Sequence, residues 1–355
     1  MEGKRIRVKS FLTTQEAIRY IQNNYEADFA LSRIESLVED PLIIPYTPPV
    51  SYATKPTLGA TNHAGVPTGT VQTPMTPAQV NALAPGVVVQ DKLIVGTMEP
   101  TGAVPRVFQN CTLLGTETKN ILGLVNGVLT VVTVNAPAYA INNSATGTPV
   151  ELYNCEVGNA SKLMLVPNGA IIDQCYLHDG GEDGVYASVQ NDDIQVVDTI
   201  ISRIGNLEYS SRLNWTVAAT QAYGVQIRGQ LSGKQLTTTR VVYDLQAPGT
   251  QGAPSGDNWA KAKACVLAQT SDAAIHDVTL DECWLASAGS YGAYFINAGR
   301  GLLGNLTLDT CEWTGTTTVG PVSHGGVTGT LTVADNRKKE DQSDIDAVIS
   351  IGGAW

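Results

Sequence analysis

A six-residue phrase recurs along this chain: Phe108-Gln-Asn-Cys111-Thr-Leu113, Leu152-Tyr-Asn-Cys155-Glu-Val157, Ile172-Asp-Gln-Cys175-Tyr-Leu177, Leu280-Asp-Glu-Cys283-Trp-Leu285 and Leu308-Asp-Thr-Cys311-Glu-Trp313. Five of the six cysteines therefore share one register of an imperfect repeat. Counting from the cysteine, position −3 and position +2 are always apolar, while −2 and −1 are mostly polar. Strict strand alternation would set −2 and 0 on one face and −3 on the other. The pattern breaks at −2/−1, and a break there calls for a corner. One strand points −3 inward, two residues turn outside, and a second strand points 0 and +2 inward. The cysteines become small buried hydrophobes stacked near one line.

Two segments keep this grammar without cysteine: Val197-Asp-Thr-Ile200-Ile-Ser202 and Thr238-Thr-Arg-Val241-Val-Tyr243. Companion strands precede several corners, at Val185-Tyr-Ala-Ser188, Val225-Gln-Ile-Arg228, Cys265-Val-Leu-Ala268 and Tyr294-Phe-Ile-Asn297. Two strands, a corner and a return loop make one coil. Cys155 to Cys175 gives a period of 20, and the 44 residues from Cys111 to Cys155 fit two coils of that size. This is the arithmetic of a parallel β-helix, a mainly β solenoid. A β-sandwich or jelly roll also uses many short strands, but it leaves the single cysteine register unexplained. Leucine-rich repeats need denser leucines and a helical return.

Composition narrows the classes of function. Of 355 residues only 15% are charged, and 35 are glycine, which suits short strands joined by tight corners. A net charge of −11 argues against nucleic acid as a partner, because phosphate recognition needs a basic face. No apolar run is long enough for a membrane-spanning helix. The start, Met1 to Leu12, has no apolar core of a signal peptide, so Sec-type secretion is not expected and synthesis in a reducing cytoplasm is. Cysteines two coils apart are too distant to bridge, and buried free thiols fit such a compartment.

Residues 1–40 differ from the rest. Thr13-Thr-Gln-Glu16 is a capping box leading a helical pattern, and Phe29 to Val38 gives a second one; both are too short to stand alone and read as an anchor. Residues 41–86 form a Pro/Thr/Gly-rich connector, interrupted at Thr76-Pro77-Ala-Gln79 by the start of a short helix suited to cover the first coil. Residues 87–335 carry the coils. Residues 336–355 hold the charged run Arg337 to Asp341, read as a solvated linker, and an apolar tail ending at Trp355 that can dock on the last coil or on a partner.

Loops after the corner strand should fall on one side of the column. Stacked, they form a ridge bearing Asp179, Glu182, Asp183, Tyr209, Arg212, Trp215, Asp257, Trp259 and Tyr291. Carboxylates beside aromatic rings are what a sugar-binding or sugar-cleaving groove requires, one acid protonating the leaving oxygen while another acts as nucleophile or base. Asp179, Glu182 and Asp183 are the catalytic candidates. The aromatic and charged remainder of the ridge forms the ligand-binding candidates. Asp and Gly at turns are backbone formers first, however, and a loop tryptophan commonly covers its own column. The four histidines lack metal-ligand spacing, and no phosphate loop or nucleophile elbow is present, so no metal and no cofactor are expected.

Taken together, the Pro/Gly-rich lead-in, the opening coil Gly86-Val-Val-Val-Gln-Asp-Lys-Leu-Ile-Val-Gly96, coils such as Val107-Phe-Gln-Asn-Cys-Thr-Leu-Leu-Gly115, and the phrase Ile171-Ile-Asp-Gln-Cys-Tyr-Leu-His-Asp-Gly180 followed by Glu182-Asp-Gly-Val185 resemble the right-handed β-helix minor tail proteins of phages that infect actinobacteria. The resemblance spans residues 86–335 and is one of style and order. It implies a right-handed coil and a structural place in the virion tail, with other tail proteins as partners, assembly as a homo-oligomer and contact with the host cell envelope. The enzymatic alternative, a tailspike-like glycoside hydrolase or lyase acting on host-surface polysaccharide, uses the same architecture, so fold does not decide. Without a convincing catalytic pair, the structural reading is favoured.

Overall fold

The computed structural model describes residues 55–58, 63–84, 86–100, 104–126, 128–145, 147–212, 222–245, 262–287, 291–314 and 320–352. The chain divides into Met1–Ser51 and Tyr52–Trp355. The two helical patterns of residues 1–40 fall in the first unit and lie outside the described residues, as do Trp215, Asp257, Trp259 and Trp355.

The second unit is a parallel β-helix. Nine strands, from Val89–Gln90 to Leu331–Ala334, pair side by side in one parallel sheet and supply the strand before the cysteine corner in each coil. The strands after the corner and the companion strands form a second sheet of 15. The coils between the two ends thus have three strand segments rather than two. In two successive coils the last two segments run together as single long strands, Glu156–Leu165 and Tyr176–Ala187.

The corner follows directly from the repeat. At −1 the backbone is left-handed in every coil: Asp91, Asn110, Asn154, Gln174, Asp198, Arg240, Glu282, Thr310 and Asp335 have φ between 46° and 54°. A single left-handed residue turns the chain without ending the ladder. Its N–H donates to the −2 carbonyl of the next coil, as from Gln174 to Val197 at 3.1 Å. Inside the corner, −3 and +2 form two buried ladders. The +2 ladder runs Ile94, Leu113, Val157, Leu177, Ile201, Tyr243, Leu285, Trp313, each in register with the next. All six cysteines are free and buried. Cys111, Cys175, Cys283 and Cys311 donate to the −3 carbonyl of the preceding coil, as Cys175 Sγ does to Leu152 at 3.6 Å and Cys311 Sγ to Leu280 at 3.5 Å. Burial holds the Cys155 and Cys265 thiols well above their ordinary 9.0.

Two details of the repeat arithmetic need correction. The 44 residues from Cys111 to Cys155 are one coil, because Phe108 pairs directly with Leu152 and Leu113 with Val157. Their extra length is an insertion carrying an antiparallel hairpin, Ile121–Val125 with Val128–Thr133. An insertion near one coil in length imitates a second coil. Likewise Thr199, not Ile200, occupies the cysteine position, since the left-handed residue is Asp198. The Thr199 hydroxyl accepts from Cys175 N at 3.1 Å and donates to Val197 O at 2.8 Å, so a polar residue replaces a thiol there without a lost hydrogen bond.

Both ends of the column are covered. Thr76 caps the helix Pro77–Asn81 through a reciprocal box with Gln79, and Val80 enters the core. At the other end, Arg337–Lys338 pairs with Glu312–Trp313 as the last strand, so the charged run begins inside the column rather than in a linker. The helix Asp346–Ser350 follows, and Ile345 and Ile349 close the core. Part of the connector lies along the flank: Ala64 packs with Ile200, Val242 and Trp284, which are outward-facing +1 residues. Gly65 N donates to Gln174 O at 2.8 Å.

Candidate functional site

The segment His178 to Asp183 is part of the continuous strand Tyr176–Ala187 rather than an exposed loop. Insertions occur at the corner before the companion strand in the neighbouring coils, and two of them meet above this one. Asn120, from the insertion that carries the hairpin, donates its N–H to Glu208 O at 2.8 Å, and Lys119 pairs with Glu208 at 2.8 Å. Glu208 belongs to the short turn Leu207–Tyr209 of the later insertion. The expected open ridge is therefore a roofed corner. Gly181 fits beneath it only because it lacks a side chain: a Cβ there would lie 2.5 Å from Ser210 Cα.

Two side-chain clusters sit under this roof. In the first, His178 bridges three coils. Its Nε2 is 2.7 Å from Glu156 Oε1 and its Nδ1 is 2.7 Å from Asp179 Oδ2. Arg203, from the next coil, donates to the same Asp179 oxygen at 2.6 Å, and its guanidinium is 2.9 Å from Nδ1. The Tyr176 ring stacks on the imidazole at 4.3 Å. Burial disfavours the charged ring, but hydrogen bonds to Asp179 and Glu156 outweigh it and raise the His178 pKa above 6.5. The bond from His178 lowers the Glu156 pKa. Burial raises and His178 and Arg203 lower that of Asp179, with a net decrease. Glu156, Asp179 and Arg203 thus hold one imidazole between three successive coils, a staple of charge-assisted hydrogen bonds.

The second cluster depends on a β-bulge. Ala160 is in register with Gly180, but Lys162 is in register with Asp183, so the Tyr176–Ala187 strand holds one extra residue. A bulge re-aims side chains, and here it brings the adjacent Glu182 and Asp183 onto one cation. Lys162 Nζ contacts Glu182 Oε2 at 2.9 Å and also bonds Asp183 Oδ2. Glu182 Oε1 accepts from Ser161 Oγ at 2.7 Å and pairs with Arg212 Nε at 3.1 Å. The Tyr186 ring lies 4.3 Å from Lys162 Nζ. Asp183 is fully buried and its Oδ1 has no hydrogen-bond partner. Burial, against the pull of Lys162, pushes this carboxyl up to about 6.

The structure thus gathers Asp179, Glu182, Asp183 and Arg212 in the roofed corner. Tyr209 is buried in the roof itself. Tyr291 lies apart, in the third companion strand beyond Tyr176–Ala187, tilted against Tyr294 at 5.0 Å. Four residues of the site were not singled out in the sequence: Glu156, Lys162, His178 as a bridge, and Arg203. A usable signal existed for Lys162, which follows Cys155 by the same seven positions that separate Glu182 from Cys175. Among the described residues no group of three or more His, Cys, Asp or Glu is arranged to hold a metal.

No family model matches this sequence, and no curated protein is similar to it in sequence. Among solved structures, an alginate lyase from Paenibacillus sp. str. FPU-7 aligns over 75% of this chain and 96% of its own, at 13% identity and a TM-score of 0.30.

Proposed function

We propose that this chain is a structural β-helix of a phage tail, anchored through residues 1–40 and presenting its column toward the host envelope. The observation that carries the reading is the state of the candidate acids. Asp179, Glu182 and Asp183 are each engaged by a cation of the chain itself, Arg203 or Lys162, and Glu182 and Asp183 are buried beneath the roof. A glycoside hydrolase of the two-carboxylate kind needs at least one of its acids open to substrate. Acids spent on stapling successive coils instead serve a column that must hold its shape. The style and order of the coils across residues 86–335 support the tail assignment. The test is deletion of residues 1–40 followed by particle assembly. The truncated chain should be made and folded yet missing from purified particles, and its incorporation would overturn the anchoring role.

One observation favours the second reading, action on a host-surface polysaccharide. Asp183 carries a carboxyl pushed up to about 6 with an unpartnered oxygen beside a lysine, which is the environment of an acid–base group. Release of reducing or unsaturated ends from purified host cell-wall polysaccharide, lost in Asp183→Asn, would replace the structural reading with this one.

A further inference from the structure

Lys162, Glu182 and Asp183 combine features that a simple ion pair does not need. Lys162 and Asp183 are direct cross-strand neighbours in successive coils, and their side-chain ends are in hydrogen-bond contact. Glu182 is fixed independently: Ser161 and Arg212 hold Oε1, which leaves Oε2 on Lys162 Nζ at 2.9 Å. Asp183 is fully buried, and Glu182 is nearly so. The Tyr186 ring closes the far side of Nζ at 4.3 Å. A buried carboxylate with one oxygen lacking any donor is a costly ground state. Conversion to a neutral amide removes that charge.

We propose that Lys162 and Asp183 are joined by an intramolecular amide, an isopeptide bond from Nζ to Cγ, formed in the folded chain with Glu182 as the proton carrier. The proton inventory allows it. An ammonium with two carboxylates has the same proton count as a neutral amine, a protonated Asp183 and an ionised Glu182. One proton moving from Nζ to Asp183 therefore reaches the reactive tautomer without exchange with solvent. Burial of the Asp183 carboxyl favours that transfer. The two carboxylates hold the Lys162 ammonium above its ordinary 10.5 and oppose it, so the reactive tautomer is a minor species reached in passing. The Nζ lone pair then attacks Cγ. Glu182 takes the second Nζ proton and delivers it to the departing Asp183 hydroxyl. The C–O bond breaks as water leaves, and the C–N bond remains. No oxidant, cofactor or activated donor is required. The product's N–H can donate to Glu182 Oε2, so the new group is satisfied where it forms. The inference rests on this corner alone; it is compatible with the structural reading and excludes the enzymatic one, which needs a free Asp183 carboxyl.

The test is the mass of the full-length, folded wild-type protein measured under denaturing conditions. The expected mass is one water molecule below that of the sequence. A chymotryptic digest, which cuts between the two residues at Tyr176, should yield a branched peptide joining Lys162 to Asp183. Lys162→Arg and Glu182→Gln should each restore the full mass. An unmodified mass for the folded wild type overturns the proposal. So does a water loss that maps to a linear peptide, since Asp183-Gly184 can lose water as a succinimide, and that loss would persist in Lys162→Arg. If either variant fails to fold, the wild-type mass and the branched peptide still decide.

Discussion

The column turns its two main corners by different means. At the cysteine corner, nine coils use the same left-handed backbone step, and residues as unlike as Asn154, Gln174, Arg240 and Thr310 all adopt it. What holds that corner is main-chain pairing outside and apolar ladders inside. Polar side chains there add pairs such as Arg240 with Asp198 at 2.7 Å, but no coil requires them. At the second corner, before the companion strand, hardly two coils agree. Asn159, Asp179 and Arg203 take a left-handed step, with φ between 51° and 60°, and the link that follows runs from a few residues, as from Ser287 to Tyr291, to the long insertion after Arg203. In the coils of Cys155 and Cys175, Glu156, Lys162, His178, Glu182 and Asp183 hold the chain by charge under a roof borrowed from the neighbours. A corner made by backbone tolerates almost any residue, whereas a corner made by side chains depends on each one.

The largest way to break the second corner is Gly181→Ala. The added methyl meets Ser210 Cα at 2.5 Å and Ser210 N at 2.6 Å, and neither is the end of a flexible side chain. Overpacking of this kind costs about 3 kcal/mol. Denaturant unfolding should register that loss, and the lifted roof should expose Glu182 and Asp183 to solvent. If stability is unchanged, the roof does not press on the corner. The first corner offers no equivalent position, since its inner residues already face one another across a filled core.

A smaller effect separates the corners by pH. His178→Gln removes two charge-assisted hydrogen bonds from a buried ring, worth about 2 kcal/mol together. Because the His178 pKa is raised, its contribution is complete below the ordinary 6.5 and fades as pH rises through the raised value. Glu156 and Asp179 are lowered, so theirs is present above the ordinary 4.5 and 3.8 and is lost as pH falls. The staple should stabilise most between those limits. The gap between wild type and His178→Gln, followed by thermal unfolding across pH, should therefore narrow on both sides. A gap that is flat with pH would mean the ring acts by packing alone.

The same contrast explains what could be read from the sequence. The cysteine corner was legible because its rule is local and repeated. The apolar −3 and +2 positions and the polar pair between them mark the turn without reference to any other coil. Even there, Ile200 was misphased by one residue, because Thr199 fills a thiol's place with a hydroxyl that bonds the backbone. The second corner was not legible as a site. The acids at Asp179, Glu182 and Asp183 announced themselves by composition, yet their partners come from other coils. Lys162 meets Asp183 only through a one-residue bulge. The roof joins residues near 120 to residues near 208, across an insertion whose length imitated a whole coil. Long-range register decides such a site, and a repeat count alone does not carry it.

The finest test returns to the backbone corner. Gln174 pays the steric cost of φ 52°, roughly 1 kcal/mol for a residue with a Cβ. Glycine relieves that cost but gives back part of it through the freedom of its unfolded chain. Gln174→Gly should therefore raise stability by well under 1 kcal/mol, while Gln174→Val, β-branched at a left-handed position, should lower it. Asn154→Gly should change it least, since asparagine already tolerates this conformation. A rank order that follows φ tolerance, irrespective of side-chain polarity, would establish that this corner is held by backbone geometry. A larger loss at Asn154 than at Gln174 would show that side-chain bonds contribute there as well, and the distinction between the two corners would narrow to one of degree.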